Sequence, residues 1–375
     1  MKSLKGLLAI FVLLTTSFSM ANEKIIKIGI AGPFSGPNAS FGDQLWQGAS
    51  QAANDINQAG GVLGSKIELI QADDACEPKQ AVMVANRLIN DDYVTAVIGH
   101  FCSSSTLPAA TIYANSEVLM ITAGSTNPAI TERGFSTIFR TCGRDDQQGI
   151  VAANFIHQTL KAKRVAIIHD KDIYGKGLAD VVKAQLEKLG AHIVLYEGLT
   201  RGEKDFNALI TKINSVNVDA IYFGGMHPEA GPLVRQLRQQ RNEAPFISGD
   251  GIVSSEFVTS AGGPKMVKGV YMTFSSDPRT LAQSQKIVQE FREHHFEPEG
   301  YTLYSYATLQ VIAAAINNTH SFEGAVLAKW LHQHSVPTIL GEKSWDKKGD
   351  LKEANYVMYL WDDQGKYEPL SQPKK

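Results

Sequence analysis

Three groups of small polar residues in this chain could together bind a zwitterion. The first follows an apolar run that ends at Gly99: after Cys102 come Ser103, Ser104, Ser105 and Thr106, then a helix-compatible segment starting near Pro108. A strand, a tight turn and a helix start present unpaired backbone N–H groups, a partial positive charge and hydroxyl donors. Such a place suits an anion, for instance a carboxylate. The second group, Ala123-Gly124-Ser125-Thr126, follows another short apolar run and offers further backbone and hydroxyl groups, so that a carboxylate could be held without any arginine. The third is Asp250, set between Gly249 and Gly251, whose carboxylate could accept from an ammonium. One anion-binding and one cation-binding subsite in a shared cleft would suit an α-amino acid. Each group also has a plainer reading: serines at a helix start cap that helix, and Gly-Asp-Gly is turn chemistry.

Whether these residues meet depends on the elements between them. Apolar strands at 24–31, 67–72, 95–99 and 118–122 alternate with helices at 41–59, 78–90 and 107–115. Such alternation implies βαβ units and a parallel sheet, in which ligands sit beyond the carboxyl ends of the strands. A second run of the same kind begins after Arg140, with strands at 164–169, 192–196, 220–223 and 245–248 and helices at 146–160, 175–189, 206–215 and 226–241. Two units of similar size suggest two lobes and a cleft. The third part breaks the pattern: a strand at 267–273, helices at 280–292, 301–317 and 323–333, and an antiparallel pair, 339–345 with 353–361, around the turn 346–350. It has too few strands for a third lobe, so the chain is expected to return to the first. Repeated crossing gives a hinge of several strands, suited to closure around a ligand. The post-strand loops 35–41, 102–105, 122–126, 170–174, 224–227 and 249–251 then converge on the cleft.

The chain has 375 residues and a formal charge of −2, without a basic cluster interleaved with aromatics, so nothing argues for nucleic acid. Residues 1–21 read as a secretory signal: Lys2 and Lys5, then the apolar run 7–14, then Ser19-Met20-Ala21. That run is too short for a transmembrane helix. Of the three cysteines, Cys76 and Cys102 each follow a strand that would end on the same sheet edge, which places them for a disulfide worth about 3 kcal/mol. Cys142 is left as a buried thiol. Gly29, Gly32 and Gly36 match neither a dinucleotide fingerprint nor a phosphate loop. His169 and Asp170 read as a strand end and a turn cap, His227 and Glu229 as a helix start, and Arg235, Arg238 and Arg241 as a solvated helix face.

Several stretches carry a family resemblance: Ser35-Gly36-Pro37, Phe41-Gly42-Asp43, residues 73–81, the run from Val97 to Thr106, Tyr174-Gly175, residues 202–206, His227-Pro228-Glu229 and residues 345–351. On these the chain resembles the periplasmic branched-chain amino-acid binding proteins of ABC transporters, nearly end to end. The resemblance implies an α/β, type I periplasmic binding protein fold: two Rossmann-like lobes with parallel sheets, joined by a three-strand hinge. Lobe 1 would comprise residues 22–144 plus 273–352, and lobe 2 residues 145–272 plus 353–375. It implies no catalysis and no cofactor. Ser103, Gly124 and Thr126 would hold the ligand from the first lobe and Tyr174 from the second. Phe41 and Tyr301 fall where the family places aromatics near the ligand side chain, and Asp145 at the lobe junction. Two positions depart from the leucine-binding pattern. Met226 stands where those members have tyrosine, and Asp250 where they have glutamate. A shorter acid reaches about one methylene less far, so the ligand sits deeper or a water intervenes. The implied function is capture of a branched-chain or similar apolar amino acid in the periplasm, by a monomer that delivers it to the membrane subunits of a permease. A ligand-sensing module, or a binder of amides or other small polar solutes, is the alternative.

Overall fold

The computed structural model describes residues 25–370; the leader expected at 1–21 lies outside them. The first part of the chain forms β1 (Ile25–Gly32), α1 (Ala39–Gln58), β2 (Lys66–Asp73), α2 (Pro78–Asn90), β3 (Ala96–Gly99), α3 (Ser103–Asn115), β4 (Leu119–Thr122) and β5 (Ile138–Arg140). The strands make one all-parallel sheet in the order β2-β1-β3-β4-β5. β1 is apolar on both faces because both are covered. Ile28 and Ile30 pack with Leu45 and Ala49 of α1, while Ala31 joins Val84 and Leu88 of α2 on the opposite side.

The chain then crosses to a second sheet through residues 141–144. This part holds α4 (Asp145–Asn154), β6 (Arg164–His169), α5 (Ile173–Lys188), β7 (His192–Gly198), α6 (Asn207–Ser215), β8 (Ala220–Gly224), α7 (His227–Gln239), β9 (Phe246–Ser248), α8 (Glu256–Ala261), α9 (Pro264–Val267) and β10 (Tyr271–Ser275). After Ser275 the chain returns as α10 (Gln285–Glu293), α11 (Thr302–Thr319) and α12 (Gly324–Leu331), with α11 lying along α1 and α12 beside β4. α1 and α11 approach so closely at Gly48 that a Cβ there would lie 2.0 Å from the carbonyl oxygen of Thr302. β11 (Val336–Thr338) and β12 (Gly341–Lys343) form a small hairpin; β13 (Tyr356–Trp361) and β14 (Tyr367–Pro369) close the second sheet. Its order is β14-β13-β10-β9-β8-β6-β7, parallel from β7 to β10 and antiparallel at β13 and β14. Both lobes therefore contain the doubly wound order 2-1-3-4-5 of their own strands, and each has its switch point where the connections reverse direction.

Four readings of local sequence are corrected. α3 begins at Ser103 rather than 107, with Pro108 inside it. The Ser103 hydroxyl accepts from the Asn127 N–H at 3.4 Å and the Thr106 hydroxyl donates to the His100 carbonyl oxygen at 3.2 Å, and this tertiary demand outweighs the preference of proline for a first turn. The strand expected at 267–273 is shifted to Tyr271–Ser275, because Pro264 starts the short α9 and Gly269 turns the chain at φ +78°. The second crossing accordingly follows Ser275, just past the boundary placed at 273. The antiparallel pair around 346–350 does not form. Only Trp345 and Leu351 bridge there, β12 pairs with β11, and β13 pairs with β10 and β14. Trp345 is pulled inward instead: its indole N–H donates to the Arg140 carbonyl oxygen at 2.8 Å.

Two crossings are tied together at Asp350. Its Oδ1 lies 2.7 Å from Nε of Arg140, which is fully buried at the end of β5, and its Oδ2 accepts from Arg144 at 2.5 Å. Arg140 also donates to the carbonyl oxygens of Ser125 and Asn127, at 2.8 and 3.1 Å. Removing one partner of a buried pair strands the other charge. Asp350→Ala is therefore expected to cost about 3–5 kcal/mol in urea unfolding; a loss below about 1 kcal/mol would mean the two arginines are held by their other partners.

Candidate functional site

The carboxyl ends of both parallel sheets face each other, and the loops at the two switch points meet. From the first sheet, Phe101 and Ser103 follow β3 and Gly124 follows β4. From the second, Tyr174 opens α5 after β6, Met226 follows β8, and Asp250 and Gly251 follow β9. With Tyr301, at the start of α11, these residues enclose a cavity of about 10 Å³, room for a single water. A larger groove of about 1520 Å³, lined by residues of both lobes that include Trp46, Glu299 and Tyr367, is separate from it, and none of the nine expected site residues lines it.

Asp250 is the electrostatic centre of the cavity. It is 2% exposed. The Tyr174 hydroxyl donates to its Oδ1 at 2.6 Å, and the Tyr301 hydroxyl donates to its Oδ2. The Tyr174 oxygen in turn accepts from the backbone N–H of Gly251 at 2.8 Å. Burial pushes the Asp250 carboxyl up, and the two phenols oppose that rise. Burial, with the charge of Asp250 added, pushes both phenols well above their ordinary range, so they stay protonated and donate. Asp145, fully buried at the first crossing, is likewise held well above the usual carboxylate range by burial and by Asp250, against the Thr126 hydroxyl and Arg140. Two buried carboxyls beside a cavity that no Lys or Arg lines favour a cationic group in the ligand.

The opposite wall favours an anion. α3 opens at Ser103 with its first turn aimed from the switch point. Gly124 is required beside it, since a Cβ there would lie 2.5 Å from the Phe101 ring. Between the two ends the lining is apolar: Phe101 meets Tyr301 edge to face at 5.2 Å, with Met226 adjacent. Of the nine expected residues, Ser103, Gly124, Tyr174, Met226, Asp250 and Tyr301 line the cavity. Phe41 lies one layer back, stacked on Phe101 at 4.4 Å. Thr126 and Asp145 are buried next to each other at the first crossing, where the Asp145 N–H donates to the Thr126 carbonyl oxygen at 3.0 Å. Sequence reasoning missed Phe101 because its ring reads as core; counting the post-strand loop from Gly99 would have found it.

The closed cleft is stitched across the lobes beyond Tyr301 and Asp250. Asn127 donates to the carbonyl oxygen of Ile173 at 3.0 Å, and the N–H of Ser255 to Glu299 at 2.9 Å. His227 Nε2 lies 3.2 Å from the Pro37 carbonyl oxygen, which can only accept, so the proton sits on Nε2. Burial lowers His227 to about 4, leaving the ring neutral. Cys76 and Cys102 are joined in a disulfide, with Cα atoms 5.4 Å apart, at the base of this wall. Burial raises the Cys142 thiol to about 12. Among the described residues, no group of three or more His, Cys, Asp or Glu side chains could hold a metal ion.

Comparison with known proteins places the fold and site in context. A family model described as periplasmic binding protein matches residues 25–366. An amino acid binding protein of Pseudomonas aeruginosa is 59% identical over 366 residues, 98% of each chain. A protein of Brucella abortus named Leu/Ile/Val-binding protein homolog 1 is 47% identical over 350 residues, 92% of this chain and 94% of that one. Among solved structures, a leucine binding protein from Thermotoga maritima superposes with a TM-score of 0.85 at 28% identity, covering 92% of this chain and 98% of that one. A branched-chain amino acid transporter substrate binding protein from Streptococcus pneumoniae, in complex with isoleucine, gives the same TM-score of 0.85, identity of 28% and coverage.

One carboxyl under the second wall makes a test of its own. Asp170 opens the loop after β6, accepts from the N–H of Asp172 at 2.9 Å and is pushed up to about 7, chiefly by burial and next by Asp172. A carboxyl raised in the folded state contributes stability that is full below its unfolded pKa and is lost as pH climbs through the folded one. Asp170→Asn keeps the acceptor and removes the charge. Urea unfolding should show the variant matching the wild type near pH 4 and exceeding it by up to about 4 kcal/mol at pH 8. An equal pH dependence of the two proteins would show that Asp170 is not titrating in this window.

Proposed function

The chain belongs to the periplasmic binding protein family, and on that premise we propose that it is the substrate-binding component of an ABC importer, capturing leucine, isoleucine, valine or a similar apolar α-amino acid between its lobes. The observation that carries the reading is the pairing of opposite subsites across one cavity: the start of α3 with Gly124 on one wall, the buried Asp250 carboxyl on the other. From the first lobe Ser103 and Gly124 hold the ligand carboxylate, with Thr126 buried behind them beside Asp145. The ammonium meets Asp250, with Tyr174 beside it and Asp145 behind at the lobe junction. Phe101, Met226 and Tyr301, backed by Phe41, enclose the side chain. Met226 supplies an adaptable apolar surface there.

The lobes divide near residues 144, 275 and 352 and close by hinge motion about these three crossings. Closure is favoured by the contacts one ligand makes to both walls. The site is read as binding rather than catalytic, because the matching family model and the similar curated proteins are binding proteins. The leader at 1–21 sends the chain to the periplasm, where it works as a monomer and hands its ligand to the membrane subunits of a permease. Among the described residues no helix is long and apolar enough to cross a membrane.

A thermal-shift screen of the common amino acids tests the reading. A ligand at a hundred times its Kd stabilises the native state by about 2.7 kcal/mol, so leucine, isoleucine or valine should raise the melting temperature by several degrees. A screen without any shift would remove the amino-acid assignment. Asp250→Ala should abolish the ligand-dependent shift while changing ligand-free stability much less; proportionate loss of both would make Asp250 a turn residue only.

A further inference from the structure

Behind the anion-binding wall, out of reach of the cavity, three fully buried polar side chains form a chain of their own. Asp74 follows β2, His100 follows β3 and Tyr113 lies in α3, each 0% exposed. Nδ1 of His100 is 2.5 Å from Oδ2 of Asp74, and Nε2 is 3.1 Å from the Tyr113 hydroxyl. The other oxygen of Asp74 accepts from the N–H of Cys76 at 2.8 Å, shaping the turn that carries one half of the disulfide. The backbone of His100 is engaged as well. Its carbonyl oxygen accepts from the hydroxyls of Thr122 at 2.8 Å, Ser125 at 3.0 Å and Thr106 at 3.2 Å. One residue thus joins the loop after β2, the last turn of α3, the first turn of α3 and the end of β4 with the loop after it.

Stability alone does not account for such a network, since buried ionic and polar groups can often be replaced by apolar ones at no net cost. What a fully satisfied network supplies is one defined arrangement of the parts it joins. Here those parts carry Ser103 and Gly124. We propose that Asp74, His100 and Tyr113 are a positioning unit that sets the spacing between the start of α3 and the Gly124 loop, and through it the fit of the ligand carboxylate. The unit never touches ligand. Its functional consequence rests on the amino-acid-binding reading above; its effect on the wall does not.

The test uses the full protein and two variants that preserve side-chain shape, Tyr113→Phe and Asp74→Asn. Calorimetric titration with leucine, isoleucine and valine should show affinity reduced about tenfold or more in each variant, with ligand-free melting within a few degrees of the wild type. The double variant should lose no more than the weaker-binding single one, because the residues act as a unit. Unchanged affinity, or losses that multiply independently, would overturn the proposal. A ligand-free measurement stands beside it. In ¹H–¹⁵N spectra the backbone amides of Ser103 and Gly124 should shift in Tyr113→Phe, although that ring contacts neither residue's loop tip. Unmoved amides would overturn the proposal even if a variant of Asp74 failed to fold. A wild type that binds none of the three amino acids would sink the ligand assignment, while the amide shifts would still decide whether the unit positions the wall.

Discussion

Burying a guanidinium costs several kcal/mol unless its charge and its N–H groups are satisfied, and the groups that satisfy Arg140 are the parts from which hinge and site are made. Arg140 ends the last strand of the first sheet with no exposed surface. It holds the carbonyl oxygens of Ser125 and Asn127, hence the loop that carries Gly124 and Thr126. It meets Asp350, where the chain is about to cross for the third time, and its own carbonyl anchors the Trp345 indole. The requirement to neutralise one cation therefore fixes the loop beside the cavity and two of the three crossings in a single geometry. Rotation of the lobes must occur around this knot rather than through it.

Against that fixed part the cleft itself is a balance. The cavity of about 10 Å³ is far smaller than any amino acid, so a ligand enters only when the walls part. Parting breaks the bond from Tyr301 to Asp250 and the stitches at Asn127 and Ser255. Each is a hydrogen bond whose loss is largely repaid by water, at about 0.5–1.5 kcal/mol net for the neutral Asn127 bond and about 1.5–3 kcal/mol for a bond to an ionised carboxylate. The desolvated Asp250 gains from opening, because water solvates it, and in the proposed binding mode would gain again from a ligand ammonium on closing. The same carboxyl that makes the empty closed form costly makes the occupied one favourable, which is the differential a ligand needs to shift a population.

Much of the fold was legible because parallel strands buried on both faces read as nearly unbroken apolar runs; the strand at residues 164–169 was delimited to the residue. The lining of the candidate site was legible because the strand-end rule points to a few loops, and Asp250, Tyr174 and Ser103, which line the cavity, all stand in them. What failed depends on partners distant in sequence. β13 pairs with β10, some eighty or more residues earlier, and β14 adds to its other edge; nothing local in Tyr356–Trp361 distinguishes β10 from the nearer segment at 339–345. The start of α3 is not legible locally because Pro108 signals a first turn, whereas the contacts that hold the preceding turn, Thr106 to His100 and Ser125 and Ser103 to Asn127, lie with loops distant in sequence. Phe101 was passed over for the same kind of reason: its ring looks like core, and it is core on the side that stacks with Phe41.

The way α11 lies along α1 has a consequence for the order in which the molecule can form. The Ser305 hydroxyl donates to the carbonyl oxygen of Leu45, 260 residues earlier, and the Tyr306 hydroxyl reaches Asp55, 251 residues earlier. On a growing chain the first sheet is complete by Arg140, yet the outer face of α1 stays bare until residue 319 has been made. The second lobe, by contrast, has β6 to β10 contiguous. Contacts of such sequence separation form late, so the second lobe can consolidate while the first still exposes an apolar helix face. During that interval this face is the part of the chain most in need of shielding from its neighbours.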